Sequence, residues 1–261
     1  MTGNKKRRGL IVQPRDRNLL EELGIIMRVI NREQAKIVAG FGSTTRANAR
    51  LLALTRAGLL RRFFLSNGKA LYALSKKGAH LADVPFRGPH RRQDEVLVAD
   101  FFIEHQLAIN GVYCALKFGV IPVEGVTFRR WLTFHEPITE NVRLIPDGYV
   151  ELVTPRETLA AFLEVDLGHE RGPVWKEKPK NYLQLAVSGE FERRFGLNRF
   201  RVLVLANSLR RMHSLRKTVG AITQKIFWFA TLSAVREQGF FAPVWYRPTG
   251  DTPTYLIEER Q

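Results

Sequence analysis

The sequence predicts an α/β fold, α+β overall, in which a small helical domain with a β-hairpin precedes a larger mixed sheet flanked by helices. Capped segments with helical apolar spacing precede two strand-like runs in the first third of the chain. Strand-like and helical segments are mixed in the remainder. The net charge of +16 divides unevenly, because residues 1–92 hold 20 Lys and Arg against 5 Asp and Glu, whereas residues 93–261 hold 21 against 20. A basic part joined to a near-neutral part indicates a polyanion-binding module joined to a second domain.

The first 84 residues predict a winged helix-turn-helix domain. Apolar periodicity predicts the first helix, and Asn31 and Ser43 are good N-caps for the next two. The Asn67-Gly68 pair favours a tight hairpin turn. The predicted elements are helices at 16–30, from Asn31, and 44–57, then strands at 59–65 and 70–75. Three helices followed by a hairpin is the order of a winged helix-turn-helix.

Basic and polar side chains of this domain predict contacts with double-stranded DNA. A helix fits the major groove, where Arg and Asn reach base edges, and cations on the hairpin meet the phosphate backbone. The expected DNA-binding residues are Thr45, Arg46, Asn48, Arg50, Arg61, Arg62 and Lys69. The alternative is a winged helix that contacts another protein.

A basic stretch rich in Pro and Gly at 85–93 predicts a linker, so the expected domains are 1–84 and 94–261. No apolar run approaches the length of a membrane span. The single cysteine, Cys114, excludes a disulfide within the chain and fits a reducing compartment. We therefore expect a cytoplasmic protein that does not contact a membrane.

The second domain predicts a central mixed sheet with helices on both faces. Its predicted helices are at 94–108, 179–194, 214–221 and 225–237, and its strands at 128–134, 143–152, 159–165 and 200–206, with short late strands at 244–247 and 254–257.

Three carboxylates of interest lie in two of these strands or directly after them. Glu164 and Asp166 share one face of a strand at about 6.6 Å, because successive side chains alternate. Pairing with the preceding strand would bring Asp147 to within roughly 5 Å of Glu164, measured between Cβ atoms. Such acids repel one another unless a cation neutralises them, and oxygen ligands suit Mg²⁺ or Mn²⁺. The alternative is that Asp147 makes a turn and the other two acids pair with nearby lysines.

The order Pro146-Asp147 followed by Glu164-Val165-Asp166 resembles the PD-(D/E)XK nuclease superfamily. The resemblance implies a restriction-endonuclease-like fold with Asp147 and Glu164 as catalytic ligands of Mg²⁺ or Mn²⁺. Asp166 lies on the same face and is expected to join them as a third metal ligand and catalytic residue, although it stands where the superfamily has lysine.

In some members of the superfamily a neighbouring helix supplies the missing lysine. Lys180, in the first turn of the predicted helix at 179–194, is the first candidate for this catalytic lysine, and Lys176 is the second. Glu104, on the helix at 94–108, matches an additional acid that some members have, but less closely.

The whole chain resembles the replication-relaxation family of plasmid and mobile-element proteins. The resemblance is carried by RDRNLLEELG, ARLLALTRAGLLRR, YALSKKG, EHQLAINGVY, PDGY, FLEVDLGHE and KNYLQL. It implies DNA transactions on mobile elements. A relaxase with clustered histidines is not indicated, because the six histidines are scattered: His80, His90, His105, His135, His169 and His213.

Two functions are therefore expected as alternatives. The first is a metal-dependent DNA endonuclease or nickase that acts in plasmid or mobile-element DNA transactions. The second is a non-catalytic replication or transcription regulator that binds DNA and keeps a nuclease-like scaffold. A homodimer fits the first, because paired cuts need two active sites and winged helices often dimerise.

Overall fold

The structure is a computed structural model that describes residues 10–86, 96–169 and 172–257. The chain divides into two units, Met1–Cys114 and Ala115–Gln261. Residues 87–93 of the predicted linker, which include His90, lie outside the described residues.

The first unit contains short helices and a three-stranded antiparallel sheet with the strand order β1-β3-β2. Its elements are α1 (Pro14–Glu22), a π-helical turn (Leu23–Met27), β1 (Val29–Asn31), α2 (Arg32–Val38), α3 (Thr44–Arg56), β2 (Leu60–Phe64), β3 (Ala70–Leu74) and α4 (Lys76–Ala82). The predicted N-caps are confirmed, because Asn31 accepts from the Gln34 N–H and Ser43 from the Arg46 N–H. The first predicted helix ends early, at Met27, because Arg28 adopts φ +58° and cannot continue it.

Most of the long helix α5 (Val96–Lys117) belongs to the first unit. Its Asn110 Nδ2 donates to the carbonyls of Met27 and Val29, at 3.0 and 2.6 Å. The hydroxyl of Tyr113 donates to Glu22 Oε2 at 2.7 Å, in the same buried region. The sequence placed the domain boundary before this helix, whereas the two units divide at Cys114. The buried hydrogen bonds from Asn110 and Tyr113 join α5 to residues 22–29, so most of this helix groups with the first unit.

The second unit is a five-stranded mixed sheet with the strand order β4-β5-β6-β7-β8. The first three strands pair antiparallel and the last three parallel. Its elements are β4 (Thr127–Leu132), β5 (Gly148–Val153), β6 (Thr158–Asp166), α6 (Gly172–Val187), α7 (Glu190–Phe195), β7 (Arg201–Ala206), α8 (Leu209–Gly220), β8 (Phe227–Thr231) and α9 (Leu232–Gln238). The predicted mixed α/β architecture is confirmed.

An aromatic cluster covers one face of β5 and β6. Phe162 is fully buried at its centre. Five ring centroids lie 5.0–5.9 Å from that of Phe162: those of Tyr149, Tyr182, Phe191, Phe195 and Phe200. Tilted and edge-on aromatic pairs add stabilisation beyond the area they bury. This core fixes α6 and α7 on the sheet face that also carries Glu164.

Two predicted helices of the second unit are placed differently in the structure. Pro179 lies inside α6, which begins at Gly172, and not at the first position of a helix. The predicted helix at 225–237 is wrong in its first half, where β8 precedes α9. The run Phe227–Thr231 is buried and pairs with β7, so tertiary contacts outweigh its helical spacing. The two late strands reduce to isolated bridges at Tyr246 and Trp245.

Candidate functional site

The pairing of β5 with β6 brings two of the predicted acids together. Gly148 pairs with Leu163 in antiparallel register, so Asp147 and Glu164 are the next positions outward on the two chains. The Asp147 N–H donates to the Leu163 carbonyl at 3.1 Å, and Asp147 Oδ2 accepts from the Val165 N–H at 2.7 Å. The two residues therefore lie opposite each other where β5 begins, and the charge of Asp147 acts on Glu164.

Glu164 is a buried carboxyl that α6 holds with two side chains. The residue is 1% exposed. Its Oε2 accepts from Lys178 Nζ at 2.8 Å, and its Oε1 accepts from the Tyr182 hydroxyl at 2.6 Å. Burial raises the pKa of Glu164 to about 7; the Lys178 ammonium opposes this rise and the charge of Asp147 adds to it. A buried carboxyl with a raised pKa beside a second acid and a lysine is typical of functional sites.

Asp166 is also buried, but its carboxylate is fully occupied. Oδ1 accepts from the Gly168 N–H at 2.7 Å and from Arg211 Nε at 2.8 Å. Oδ2 accepts from Trp175 Nε1 at 2.7 Å and from Arg211 Nη2 at 2.8 Å. Burial acts to raise the pKa of Asp166, but the hydrogen bonds from Arg211, Gly168 and Trp175 outweigh burial and hold this pKa below its ordinary value. Asp166 is therefore ionised at neutral pH.

These bonds change the role expected of Asp166. A carboxylate offers about four lone-pair positions, and all four accept hydrogen bonds from protein groups here. In the structure Asp166 therefore forms an internal ion pair with Arg211, and its oxygens are occupied by protein donors.

The lysine that reaches the acids is Lys178, and not Lys180. Lys180 is exposed, and its ammonium contacts Glu177 at 2.7 Å. Lys176 is exposed as well. In contrast, the side chain of Lys178 is only 18% exposed, and it forms an ion pair with Glu164. The helix start decides the difference: because α6 begins at Gly172, its inward face repeats with helical spacing through Trp175, Lys178 and Tyr182. That spacing was the signal in the sequence, and the predicted helix start at Pro179 concealed it.

On the first unit, α3 and the β2–β3 hairpin expose most of the predicted DNA-binding residues. Thr45, Arg46 and Asn48 are exposed on α3, while its apolar residues Ala47, Leu51 and Leu54 are buried. Arg61, Arg62 and Lys69 are exposed on the hairpin.

Arg50 departs from this group. Its Nε donates to Asp16 Oδ1 at 2.8 Å, its Nη2 to Asp16 Oδ2, and the same Nη2 to the Ile11 carbonyl at 2.6 Å. Asp16 is completely buried. Arg50 therefore joins α3 to α1, and its guanidinium is occupied by Asp16 and Ile11.

At the start of β5, the carboxyls that the sequence predicted as metal ligands reduce to a pair, Asp147 and Glu164. Across residues 10–86, 96–169 and 172–257, no group of three or more His, Cys, Asp or Glu side chains could hold a metal ion. Asp147 and Glu164 offer hard oxygen atoms, and their mutual repulsion is a feature that a divalent cation would relieve. A cation at this position would take its protein ligands from Asp147 and Glu164 and not from a group of three acids. Glu104 is exposed on α5 in the first unit.

A protein-family model described as replication-relaxation matches residues 25–200. The chain belongs to the replication-relaxation family. The matched span includes α3, the hairpin and all four residues Asp147, Glu164, Asp166 and Lys178. No curated protein and no solved structure matches this replication-relaxation protein. Among the helices described for it, none has the length and apolar character needed to cross a membrane.

The raised pKa of Glu164 predicts how the stability of this replication-relaxation protein depends on pH. The folded-state pKa near 7 exceeds the ordinary value of 4.5, so the stabilisation from protonated Glu164 is complete below pH 4.5 and is lost as pH rises through 7. We expect this group to lower the free energy of unfolding by about 2–3 kcal/mol between about pH 5 and pH 8. Urea denaturation at several pH values would measure this decline.

The matched variants are Glu164→Gln and Glu177→Gln. The first should flatten the decline, because glutamine does not titrate. The second should leave the decline with pH unchanged, because Glu177 is an acid on the surface of α6, with 63% of its side chain exposed. If the free energy of unfolding of both variants depended equally on pH, the decline could not be assigned to Glu164.

Proposed function

We propose that this protein binds double-stranded DNA with its first unit and hydrolyses phosphodiester bonds with its second, as an endonuclease or nickase in plasmid or mobile-element DNA transactions. The observation that carries the proposal is the ion pair of Lys178 with Glu164 directly beside Asp147. Two acids and a lysine on adjacent elements are the groups that the PD-(D/E)XK resemblance implies. The lysine comes from a helix, as in some members of that superfamily.

The order of elements in the second unit supports the same proposal. Three antiparallel strands are followed by the helices α6 and α7 and then by a strand parallel to the third. This order is compatible with a restriction-endonuclease-like core, and both acids lie on its second and third strands or directly beside them.

Asp147 and Glu164 are the residues that would hold Mg²⁺ or Mn²⁺. When bound, such a cation neutralises charge on the phosphodiester and makes a water molecule a stronger nucleophile. Tyr182 and Lys178 fix the two oxygens of Glu164 and so set the direction of its carboxyl group. The Lys178 ammonium places a fixed positive charge beside the acids, where it can stabilise negative charge that develops on the scissile phosphate.

Cleavage of supercoiled plasmid in Mg²⁺ or Mn²⁺ tests this function. We expect the native chain to nick or linearise the plasmid, and Asp147→Asn and Glu164→Gln each to lower the rate by at least about 100-fold, since each removes a charge from the centre of the site. DNA binding should be retained in both variants, as measured by a mobility shift. Cleavage that survives both substitutions would show that the activity lies elsewhere or in a contaminant.

In the first unit, three helices and a hairpin with a basic exposed face support binding of the winged helix-turn-helix kind. The helix α3 exposes Thr45, Arg46 and Asn48 for the major groove, and the hairpin exposes Arg61, Arg62 and Lys69 for phosphates. An endonuclease that cuts both strands would act as a homodimer, because the described part of each chain carries one such pair of acids.

The hairpin arginines predict the salt dependence of DNA binding. Removing both, as Arg61→Ala/Arg62→Ala, should weaken binding about tenfold or more at moderate salt and reduce the slope of log affinity against log salt by about 2. Fluorescence anisotropy with a labelled duplex over a salt series measures both quantities. The charge-matched control is Arg193→Ala/Arg236→Ala, which removes two arginines of the second unit that are 72% and 76% exposed. An equal change in slope for the two double variants would indicate a general charge effect and refute a specific hairpin contact.

One observation favours the alternative function, a non-catalytic replication or transcription regulator that binds DNA. Glu164 is 1% exposed, and both of its oxygens already accept hydrogen bonds from the protein. In such a regulator the Glu164–Lys178 pair would serve only to hold α6 on the sheet. Native DNA binding without metal-dependent cleavage of any plasmid or duplex would favour this function.

A further inference from the structure

We propose that Asp166, Trp175 and Arg211 form a positioning device that holds Lys178 against Glu164. The proposal rests on the proposed nuclease function in so far as Lys178 serves cleavage. In this device Asp166 occupies the motif position that the superfamily gives to lysine, and it holds in place a lysine that arrives from a helix.

Trp175 is the link between Asp166 and Lys178. Its ring is 2% exposed, and its Nε1 donates to Asp166 Oδ2 at 2.7 Å. The Lys178 Nζ lies 5.0 Å from the centroid of the same ring. A lysine ammonium over an indole face within about 6 Å is attracted by the π-electrons. The ammonium thus has a carboxylate partner in Glu164 and an aromatic partner in Trp175.

Arg211 keeps Asp166 in the orientation that Trp175 needs. The guanidinium makes two parallel bonds to the two oxygens of Asp166, the geometry that fixes a carboxylate most firmly. Arg211 lies in the first turn of α8, where Ser208 caps the helix and accepts from the Arg211 N–H at 3.2 Å. Gly168 completes the arrangement at φ +91°, a conformation that favours glycine, and donates its N–H to Asp166. One carboxylate therefore joins β6, α6 and α8.

The sequence of α6 explains why such an anchor is needed. Pro179 has no N–H to donate to the carbonyl of Trp175, four residues earlier, so the helix lacks one backbone hydrogen bond at the turn that carries Lys178. The bond from Trp175 Nε1 to Asp166 replaces this lost restraint with a side-chain contact to the sheet. The position of Lys178 then depends on Asp166 through Trp175.

Competitive acetylation of lysines tests the device without DNA or metal. The native chain is treated with a limiting amine-specific acetylating reagent, and the rates at Lys178 and Lys180 are compared by peptide mass spectrometry. We expect Lys178 to react about tenfold more slowly than Lys180 in the native chain, because its ammonium is held between Glu164 and the ring. Trp175→Leu should raise the acetylation rate at Lys178 until it is close to the rate at Lys180. Trp175→Phe, which keeps a ring and loses the N–H, should give an intermediate ratio.

The ratio of the two rates separates positioning from general loss of structure. Partial unfolding would raise the rates at both lysines, whereas loss of the device raises only that at Lys178. The variant Asp166→Asn, which keeps a hydrogen-bond acceptor for Trp175, should retain more protection of Lys178 than Trp175→Leu. Trp228→Leu, which alters a partly buried tryptophan on β8, should leave the ratio unchanged. An unchanged ratio in Trp175→Leu would overturn the proposal.

Kinetics then connect the device to the proposed function. If the native chain cuts DNA, Trp175→Leu should lower kcat by a factor similar to that of Lys178→Ala and leave KM within about twofold, since it displaces a group that acts in the transition state. A loss of protection at Lys178 with unchanged kcat would overturn the positioning role in cleavage. Protection of Lys178 in a native chain that cuts no DNA would instead refute the nuclease function and leave the device standing.

Discussion

Replacing Arg211 by alanine is expected to lower the free energy of unfolding of the second unit by about 3–5 kcal/mol, because it leaves a buried carboxylate without its cation. The side chain of Asp166 is completely buried, and Arg211 supplies two of its four hydrogen bonds. Removing one partner of a buried ion pair costs more than the pair itself contributes, since the remaining charge stays desolvated. Urea denaturation followed by tryptophan fluorescence measures the change, with Trp175 as a reporter beside Asp166.

The matched control is Arg210→Ala. Arg210 is the exposed neighbour of Arg211 in α8, and its loss should change the free energy of unfolding by less than about 0.5 kcal/mol. Arg211→Lys should fall between the two, because lysine keeps the charge and loses the two parallel bonds. If Arg211→Ala were as stable as Arg210→Ala, the Asp166–Arg211 pair would not be the internal anchor of β6 and α8 that the geometry indicates.

Replacing Lys178 by alanine is expected to lower the rate of DNA cleavage by at least about 100-fold, whereas Lys180→Ala should keep the rate within about twofold. The two residues are neighbours on one helix and carry the same charge, but only Lys178 contacts Glu164. Lys178→Ala removes the fixed positive charge beside the acids and leaves Glu164 with a higher pKa. The comparison therefore isolates position from charge. Plasmid cleavage by the three chains under one metal condition provides the measurement, and equal losses in both variants would contradict the assignment of Lys178.

Local signals in the sequence predicted the parts of the fold that neighbouring residues determine. Asn31 and Ser43 could be assigned as N-caps because capping depends on a residue and the next three. The hairpin followed from Asn67 and Gly68 for the same reason. The adjacency of Asp147 and Glu164 required only that two neighbouring strands pair in register.

The structure departs from the expected contacts of two site residues where distant residues bind them. Arg50 has the spacing of an outward-facing residue of α3, but Asp16, 34 residues earlier, binds its guanidinium. Asp166 has the pattern of a metal ligand, but Arg211, 45 residues later, takes its oxygens. Both partners lie on other helices, and no local pattern connects them to the acid or base that they bind.

Lys178 was missed for a different reason. Pro179 favours a helix start, and a start at that position would have put Lys180 in the first turn. The structure accepts the proline inside α6 because Trp175 and Tyr182 hold the helix on both sides of it. Tertiary contacts thus outweighed a strong local preference, and the identity of the site lysine changed with the helix start.

A Mn²⁺ titration by calorimetry bears most directly on the acid pair, because it needs no knowledge of the DNA target. We predict that the native chain binds a Mn²⁺ ion, that Asp147→Asn abolishes this binding, and that Asp166→Asn retains it, since the oxygens of Asp166 are occupied by protein donors. Absence of Mn²⁺ binding in the native chain, or binding that depends on Asp166 and not on Asp147, would contradict a metal site formed by Asp147 and Glu164.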